Sequence, residues 1–156
     1  MNAVAQRPHL DLDNYLPYLI NRVGVAIAGI YTGDTLAPLG LTLDMWRVLA
    51  ALSNNGEQRQ IDLVEMTSID ASTMSRLVTR MVRLGLVTRA RSKTSNREVV
   101  VELSAKGRGQ VESLIPIAKS LEDIASSGLS AKEQAVVKRA LKKMYQNLTN
   151  GRRKSR

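Results

Sequence analysis

The spacing of apolar residues predicts a chain of helices interrupted by one hairpin. Apolar positions recur every three or four residues over about 14–36, where Asn14 is a suitable N-cap and Pro17 falls in the first turn. A second helix is predicted after Thr42, which can cap it, and the pair Asn55-Gly56 ends it. The sequence therefore begins with two helices that each need an apolar partner.

A short helix over 60–68 and a longer one over 71–84 follow. Asp70 can cap the longer helix, and Gly85 stops it. At a period of 3.6 residues the longer helix separates into an apolar and a polar side. The predicted core face consists of Met74, Leu77, Val78, Met81, Val82 and Leu84.

After Gly85 the pattern becomes strand-like. The β-branched segments LVTRAR (86–91) and EVVVEL (98–103) are separated by the polar SKTSN, which predicts a two-stranded ribbon. A short helix, a turn, a second helix and a hairpin, in this order, make a winged helix-turn-helix. The predicted fold class is therefore mainly α, with about six helices plus a two-stranded β-wing.

Two helices are predicted to complete the chain. Ser104 can cap a helix over 105–126, which Pro116 should kink. A capping box over 130–133 then begins a last helix that is expected to end near Leu148 and to be followed by a disordered basic tail.

The charge of the chain is concentrated in two places. The net charge is +9, and residues 76–97 hold seven cations and no acid, while residues 134–156 hold eight cations and no acid. Such a balance points to a polyanionic partner, either nucleic acid or an anionic membrane surface. A membrane-surface protein would need bulky apolar residues exposed opposite the cations, but here the core needs those residues.

The composition argues against several other classes. The chain has no cysteine and a single histidine, His9, which leaves little for a metal site, a cofactor or a catalytic triad, and we expect it not to be an enzyme. The N-terminus lacks the layout of a signal peptide, and no apolar run reaches the length of a membrane span. A cytoplasmic location is therefore expected.

The polar side of the 71–84 helix combines short hydroxyls near its start with arginines further along. A recognition helix in a DNA major groove needs this mixture, and cations on the following hairpin can contact phosphates. The predicted DNA-binding residues are Ser72, Thr73, Ser75, Arg76, Thr79, Arg80, Arg83, Arg89, Arg91, Lys93 and Arg97. The alternatives are a solvated amphipathic helix and a winged helix that binds proteins without specific DNA binding.

These residues carry a resemblance to a known family. Residues 60–107 are similar to the winged-helix core of the MarR (multiple antibiotic resistance regulator) family. The matching motifs are Leu63-Val64, Ser72-Thr73 with Ser75-Arg76, Gly85-Leu86-Val87-Thr88-Arg89, and Leu103-Ser104-Ala105-Lys106-Gly107. The family wing usually carries Asp, one residue, then Arg; here Arg97 matches the Arg, but Ser95 stands in place of the Asp.

The resemblance implies a homodimer that binds a pseudo-palindromic operator in double-stranded DNA, usually represses, and in many members is released by a small aromatic ligand. The apolar faces of the last two helices also favour a dimer, through Val111, Leu114, Ile115, Ala118, Leu121, Val137, Leu141, Met144, Tyr145 and Leu148. The predicted division is an N-terminal arm and dimerisation helix (1–40), a DNA-binding lobe (41–104), C-terminal dimerisation helices (105–149) and a basic disordered tail (150–156).

A ligand pocket is expected where the dimerisation helices meet the DNA-binding lobe. The plausible aromatic and cationic lining is Tyr18, Arg22, Tyr31, Trp46 and Arg47. Arg22 could pair with a carboxylate or could simply extend to solvent, and Trp46 could belong to the core instead. On charge alone, the expected effector is a small aromatic carboxylate or a related anionic conjugate.

Overall fold

Six α-helices and one β-hairpin make up the part of the chain that the computed structural model describes, which is residues 9–92 and 99–153, with side chains as far as residue 150. The elements are α1 (Leu16–Tyr31), α2 (Leu43–Asn55), α3 (Gln60–Thr67), α4 (Ala71–Arg83), β1 (Val87–Arg91), β2 (Val99–Leu103), α5 (Ala105–Ala125) and α6 (Ala131–Arg153). The predicted order and the winged helix-turn-helix fold are confirmed.

Side-chain caps begin four of the helices where the sequence predicted them. The Thr42 hydroxyl accepts a hydrogen bond from the Met45 N–H at 3.2 Å, and Asp70 accepts one from the Thr73 N–H at 2.9 Å. Ser104 caps α5 in the same way, through the Gly107 N–H at 2.9 Å. The capping box before α6 is also present, because Glu133 accepts from the Ser130 N–H at 2.8 Å.

The predicted cap of the first helix is wrong. Asn14 lies in a short 3-10 helix, Leu12–Asn14, that Asp11 caps, and α1 begins after Tyr15 without a side-chain cap. The Asn14 amide donates to the Asp11 carboxylate at 2.6 Å, so Asp11 and not Asn14 organises this turn. Pro17 does lie in the first turn of α1.

The last helix is longer than predicted. Helix α6 continues past Leu148 to Arg153, and the Thr149 hydroxyl donates to the Tyr145 carbonyl one turn earlier at 2.9 Å. An Asn-Gly pair ends a helix only where the glycine leaves the helical conformation, and here Gly151 stays helical. Helix α5 runs without a break through Pro116, and the predicted kink stays a prediction.

The core of the lobe contains apolar residues from α1 to α5. Fully buried side chains include Leu36, Met45, Val48, Leu49, Leu63, Met74, Val78, Met81, Val87, Val111 and Leu114. Two predictions are corrected here. Leu84 is 39% exposed because it follows the last residue of α4, and Val111 and Leu114 are buried in this core, which leaves neither available to a dimer interface.

The hairpin is antiparallel, with Val87 opposite Leu103 and Arg91 opposite Val99. Gln58 extends it by one pairing, because its backbone N–H and carbonyl exchange hydrogen bonds with Val101 at 3.0 and 2.8 Å. This pairing joins the segment between α2 and α3 to the base of the wing. The pairing of Gln58 with Val101 could not be predicted from the spacing of apolar residues, because it involves only one residue outside the two strands.

The chain divides into two compact units, the first ending at Ala118 and the second beginning at Lys119. Each leaves apolar helical residues exposed. In the first, these lie along one side of α1, at Leu16, Leu19, Val23, Ile27 and Ile30. In the second, they lie along one side of α6, at Val137, Leu141, Tyr145 and Leu148, and at Ile124 of α5.

Within the described residues, we find no single helix that is long and apolar enough to cross a bilayer. The segments Leu16–Leu39 and Leu43–Asn55 would reach that length only as a pair, and they meet at an angle of 84°.

A close backbone contact fixes the start of α5 against the end of α4. A Cβ atom built on Gly107 would lie 2.0 Å from the Leu86 carbonyl oxygen, far inside contact distance. The Leu86 carbonyl also accepts the Ser104 N–H at 3.1 Å, so neither side can move away freely. Only glycine fits at position 107.

We therefore expect Gly107→Ala to destabilise the fold by about 1–3 kcal/mol or more, because the methyl group must displace backbone. The matched control is Gly109→Ala in the same helix, where an added Cβ meets nothing within 4 Å. That control should stabilise by about 0.5–1 kcal/mol, the helix preference for alanine. Chemical denaturation of both variants measures the difference, and equal stability would contradict the contact.

Candidate nucleic-acid interface

A tight turn positions α4 against α3. Helix α3 ends at Thr67, and its C-cap residue, Ser68, adopts a left-handed conformation with φ of 58°. The next residue, Ile69, is 7% exposed. Asp70 then begins α4. The buried Ile69 anchors the turn in the core, which fixes the direction of α4 and leaves its polar side facing outward.

The polar side of α4 is as exposed as the sequence predicted. Ser72, Ser75, Arg76, Thr79, Arg80 and Arg83 are exposed, and Thr73 is half-buried. On the hairpin, Arg89 and Arg91 are exposed on β1. The predicted residues Lys93 and Arg97 lie outside the described residues. The structure thus brings nine of the eleven predicted residues onto one helix and the strand that follows it.

At the start of α4, hydroxyl and backbone groups converge on Asp70. Its carboxylate accepts hydrogen bonds from the Thr73 N–H at 2.9 Å and the Ser72 hydroxyl at 2.7 Å. These bonds, that from Thr73 above all, hold the pKa of the Asp70 carboxyl well below its usual range. The carboxylate therefore stays charged at neutral pH, and the Ser72 hydroxyl hydrogen is already committed within the protein.

Further along α4, the arginines differ in how they are held. The Arg76 guanidinium reaches the Thr73 hydroxyl only at 3.5 Å, the limit of a hydrogen bond. The Arg89 guanidinium, by contrast, donates to the Thr79 hydroxyl at 2.9 Å, across from β1 to α4. Arg76 is therefore nearly free to take another acceptor, while Arg89 is engaged.

This surface has a single sign of charge. Residues 71–92, which include α4 and β1, contain five arginines and no acidic residue, and the acidic groups nearest along the described chain are Asp70 before α4 and Glu102 on β2. Exposed cations at this density produce a positive field that attracts a polyanion. Within residues 9–92 and 99–153 no group of three or more His, Asp or Glu side chains is arranged to hold a metal ion.

Of the five predicted effector residues, the structure pairs Arg22 with Tyr18 and Tyr31 with Trp46, and whether they line one site stays a prediction. Arg22 lies over the Tyr18 ring, 5.6 Å from its centroid, on α1. Tyr31 is 4% exposed, packs edge-on against Trp46 at 5.6 Å, and donates its hydroxyl to the Leu114 carbonyl at 3.4 Å. Burial raises the pKa of Tyr31. Tyr31 is therefore a core residue whose polar group is already bonded.

Trp46 is half-buried and lines two open grooves on the outside of α2. A groove of about 530 Å³ lies between α2 and α3, and one of about 330 Å³ lies between α2 and α5. The larger groove also contains Arg47, which pairs with Asp44 at 3.2 Å on the surface. Tyr18, Arg22 and Tyr31 line neither of the two.

Several groove residues had no signal in the sequence. Ala50, Asn54, Met66 and Thr67 line the larger groove with Trp46 and Arg47. Asn54 and Met66 are unremarkable helix residues, and only the packing of α3 on α2 brings them together. Met66 lies three residues after the buried Leu63, so helical spacing groups the two together, and only the structure shows that Met66 is 47% exposed.

Comparisons with known proteins agree with this geometry. The sequence profile of the MarR family matches residues 39–98. The HTH-type transcriptional repressor NicR of Pseudomonas putida is 28% identical over 140 residues, covering 90% of this chain and 88% of NicR.

Two solved structures are also similar. A MarR family transcriptional regulator from Silicibacter pomeroyi has a TM-score of 0.79 and 27% identity, covering 90% of this chain and 96% of that one. BpsR of Bordetella bronchiseptica, whose DNA binding is regulated by 6-hydroxynicotinic acid, has a TM-score of 0.72 and 27% identity, covering 83% of this chain and 97% of BpsR. The chain is thus similar to the MarR family over residues 39–98, and its winged helix-turn-helix fold is similar to that of these solved regulators.

Proposed function

We propose that this protein is a transcriptional regulator, namely a homodimeric repressor that binds a pseudo-palindromic operator and is released by a small aromatic carboxylate. The observation that carries the proposal is the polar side of α4, which offers exposed arginines and hydroxyls and, from Ala71 to Arg83, no acidic residue. A protein-binding winged helix is expected to present an apolar or mixed-charge face there instead. The name of NicR as a repressor supports the sign of regulation.

The side chains proposed to contact DNA directly include three arginines of α4 and the cations of the hairpin segment. Arg76, Arg80 and Arg83 lie along the exposed side of α4, and arginine pairs with guanine O6 and N7 or with phosphate. Ser75 lies one turn before Thr79 and allows close approach of the helix to a base edge. On the hairpin, Arg91 is proposed to contact phosphate, together with Lys93 and Arg97.

A second copy of the chain is the proposed partner of the exposed apolar residues. The stripe along α1 and the stripe along α6 each repeat at helical spacing, and both are too extended to be scattered surface residues. A twofold dimer would present two α4 helices to successive major grooves, about 34–36 Å apart. This spacing is why the operator is proposed to be pseudo-palindromic.

The groove between α2 and α3 is the proposed effector site. Trp46 offers an aromatic face and Arg47 a guanidinium, which suits an aromatic ring that bears a carboxylate. The Arg47–Asp44 pair is half-exposed, so a ligand carboxylate would displace a weak interaction. Regulation of BpsR by 6-hydroxynicotinic acid, an aromatic carboxylic acid, supports this ligand class.

Arg76→Ala is expected to reduce discrimination between operator and scrambled DNA by about tenfold or more, the value of one bidentate arginine–base contact. The operator probe is a duplex selected by the wild-type protein from a randomised double-stranded library, and fluorescence anisotropy measures both affinities. Arg139→Ala removes a cation from the polar side of α6 and serves as the control. Unchanged discrimination by Arg76→Ala would remove that residue from the interface, and selection of no common sequence would favour the protein-binding alternative.

Leu141→Glu is expected to dissociate the dimer, because it places a charge in the α6 apolar stripe. Analytical ultracentrifugation should then show a monomer, and affinity for the selected duplex should fall. Gln146→Glu adds the same charge on the side of α6 that faces away from this stripe and should leave the dimer intact. A Leu141→Glu protein that stays dimeric would contradict an α6 interface.

Titration with 6-hydroxynicotinic acid is expected to release the protein from the selected duplex and to change the fluorescence of Trp46, the only tryptophan in the chain. Arg47→Gln should weaken this binding about tenfold by removing a charged hydrogen-bond donor. 6-Hydroxynicotinamide, which lacks the carboxylate, is the matched ligand control. Release that is equal in the wild type and Arg47→Gln, with no change in Trp46 fluorescence, would put the effector elsewhere.

A further inference from the structure

One hydrogen bond connects the wing to the middle of the exposed side of α4. The Arg89 guanidinium on β1 donates to the Thr79 hydroxyl at 2.9 Å. The Thr79 hydroxyl donates in turn to the Ser75 carbonyl, one helical turn earlier, at 3.0 Å. Both residues are exposed, so this short chain of bonds lies on the surface proposed to face DNA.

These two bonds use most of the hydrogen-bonding capacity of the Thr79 hydroxyl. A threonine hydroxyl has one hydrogen and two lone pairs. The hydrogen goes to Ser75 and one lone pair to Arg89, so Thr79 has no donor left for a base edge or a phosphate oxygen. Thr79 is therefore better placed to hold Arg89 than to read DNA.

Arg89 is correspondingly well anchored from the strand side. It lies opposite Val101, which is 2% exposed and is itself paired with Gln58 by two backbone hydrogen bonds. The Cα of Arg89 is thus fixed by the most constrained part of the hairpin. The Arg89 side chain is therefore fixed at its Cα by the hairpin and at its guanidinium by Thr79, and it links β1 to α4.

Other contacts hold the end of α4 but do not reach its exposed side. Lys106 donates to the Leu84 carbonyl at 2.9 Å, and the Ser104 hydroxyl donates to the Gly85 carbonyl at 2.5 Å. They fix where α4 stops. The Arg89–Thr79 bond adds a constraint on rotation of α4 about its own axis, because it joins the exposed side of the helix to the strand.

We infer that Arg89 is a positioning residue for DNA recognition, which acts through Thr79 to hold the orientation of α4, and that it does not neutralise a phosphate. The inference rests on the proposed function, since it assigns the role of one residue within that DNA-binding surface. Sequence discrimination should then depend on Arg89 even though the arginine reads no base. The number of phosphates neutralised should not depend on it.

A double-mutant cycle in the full-length protein separates the two roles. Thr79→Val removes the hydroxyl with little change of shape, Arg89→Met removes the guanidinium, and the third variant carries both. Affinities for the selected duplex and a scrambled duplex are measured by anisotropy over a series of salt concentrations. Circular dichroism and ultracentrifugation establish that each variant is folded and has the wild-type assembly state.

We expect each single variant to lose about tenfold in discrimination, the size of one charged-donor hydrogen bond, and the double variant to lose no more than either single. The salt dependence should keep its wild-type slope. Arg89→Lys, which retains the charge but lacks the planar fork, should behave like Arg89→Met.

A phosphate contact gives the opposite pattern. Arg89→Met would then weaken both duplexes equally and flatten the salt slope by about 0.9, Arg89→Lys would restore both, and Thr79→Val would act independently. That result would overturn the positioning role while leaving the proposed function intact. Equal binding of both duplexes by the wild-type protein would overturn the proposed function itself, and with it any role of Arg89 in discrimination.

Discussion

The contact between Gly107 and the Leu86 carbonyl is the constraint on which the position of α4, and with it the proposed DNA-binding surface, depends. It brings the first turn of α5 against the turn that follows α4, so close that a side chain at position 107 would overlap the Leu86 carbonyl. Ser104 and Lys106, from the same turn of α5, then bond the carbonyls of Gly85 and Leu84. The end of α4 is thus fixed to the start of α5, and α5 continues beyond Ala118 into the second unit. Moving the end of α4 away from the start of α5 would therefore break these hydrogen bonds.

The positive surface is compatible with a stable fold because its cations are exposed. Water and salt screen exposed arginines from one another, so five of them on α4 and β1 cost the free protein little. Burying any of them without an acid would cost far more. The exposed cations therefore reduce the stability of the free protein little. A polyanion that binds this surface is attracted by all of them together.

Local signals in the sequence predicted the helices, most of their caps and the hairpin. The burial of particular residues and the contacts between elements depend on tertiary packing, which those signals do not encode. Thr42, Asp70, Ser104 and Glu133 each act within four residues, which is why their caps were predictable. The burial of Val111 and Leu114 depends on which neighbour α5 meets, and a helical period alone does not distinguish a core from an interface. The bond from Arg89 to Thr79 depends on the angle between β1 and α4, which no spacing along the chain encodes. The grooves beside Trp46 depend in the same way on the packing of α3 on α2.

The polar residues of α4 differ in how many hydrogen-bond donors they have that are not already used within the protein. The Ser72 and Thr79 hydroxyls have given their hydrogens to Asp70 and to the Ser75 carbonyl, so neither can donate to a base without breaking a bond in the protein. The arginines of α4 keep most of their donors. Because the acceptors that arginine prefers in the major groove are O6 and N7 of guanine, we expect discrimination by the proposed DNA-binding surface to depend chiefly on the position of guanines in the proposed operator. Adenine and thymine positions would then be chosen more by the shape and deformability of the duplex than by contact with α4.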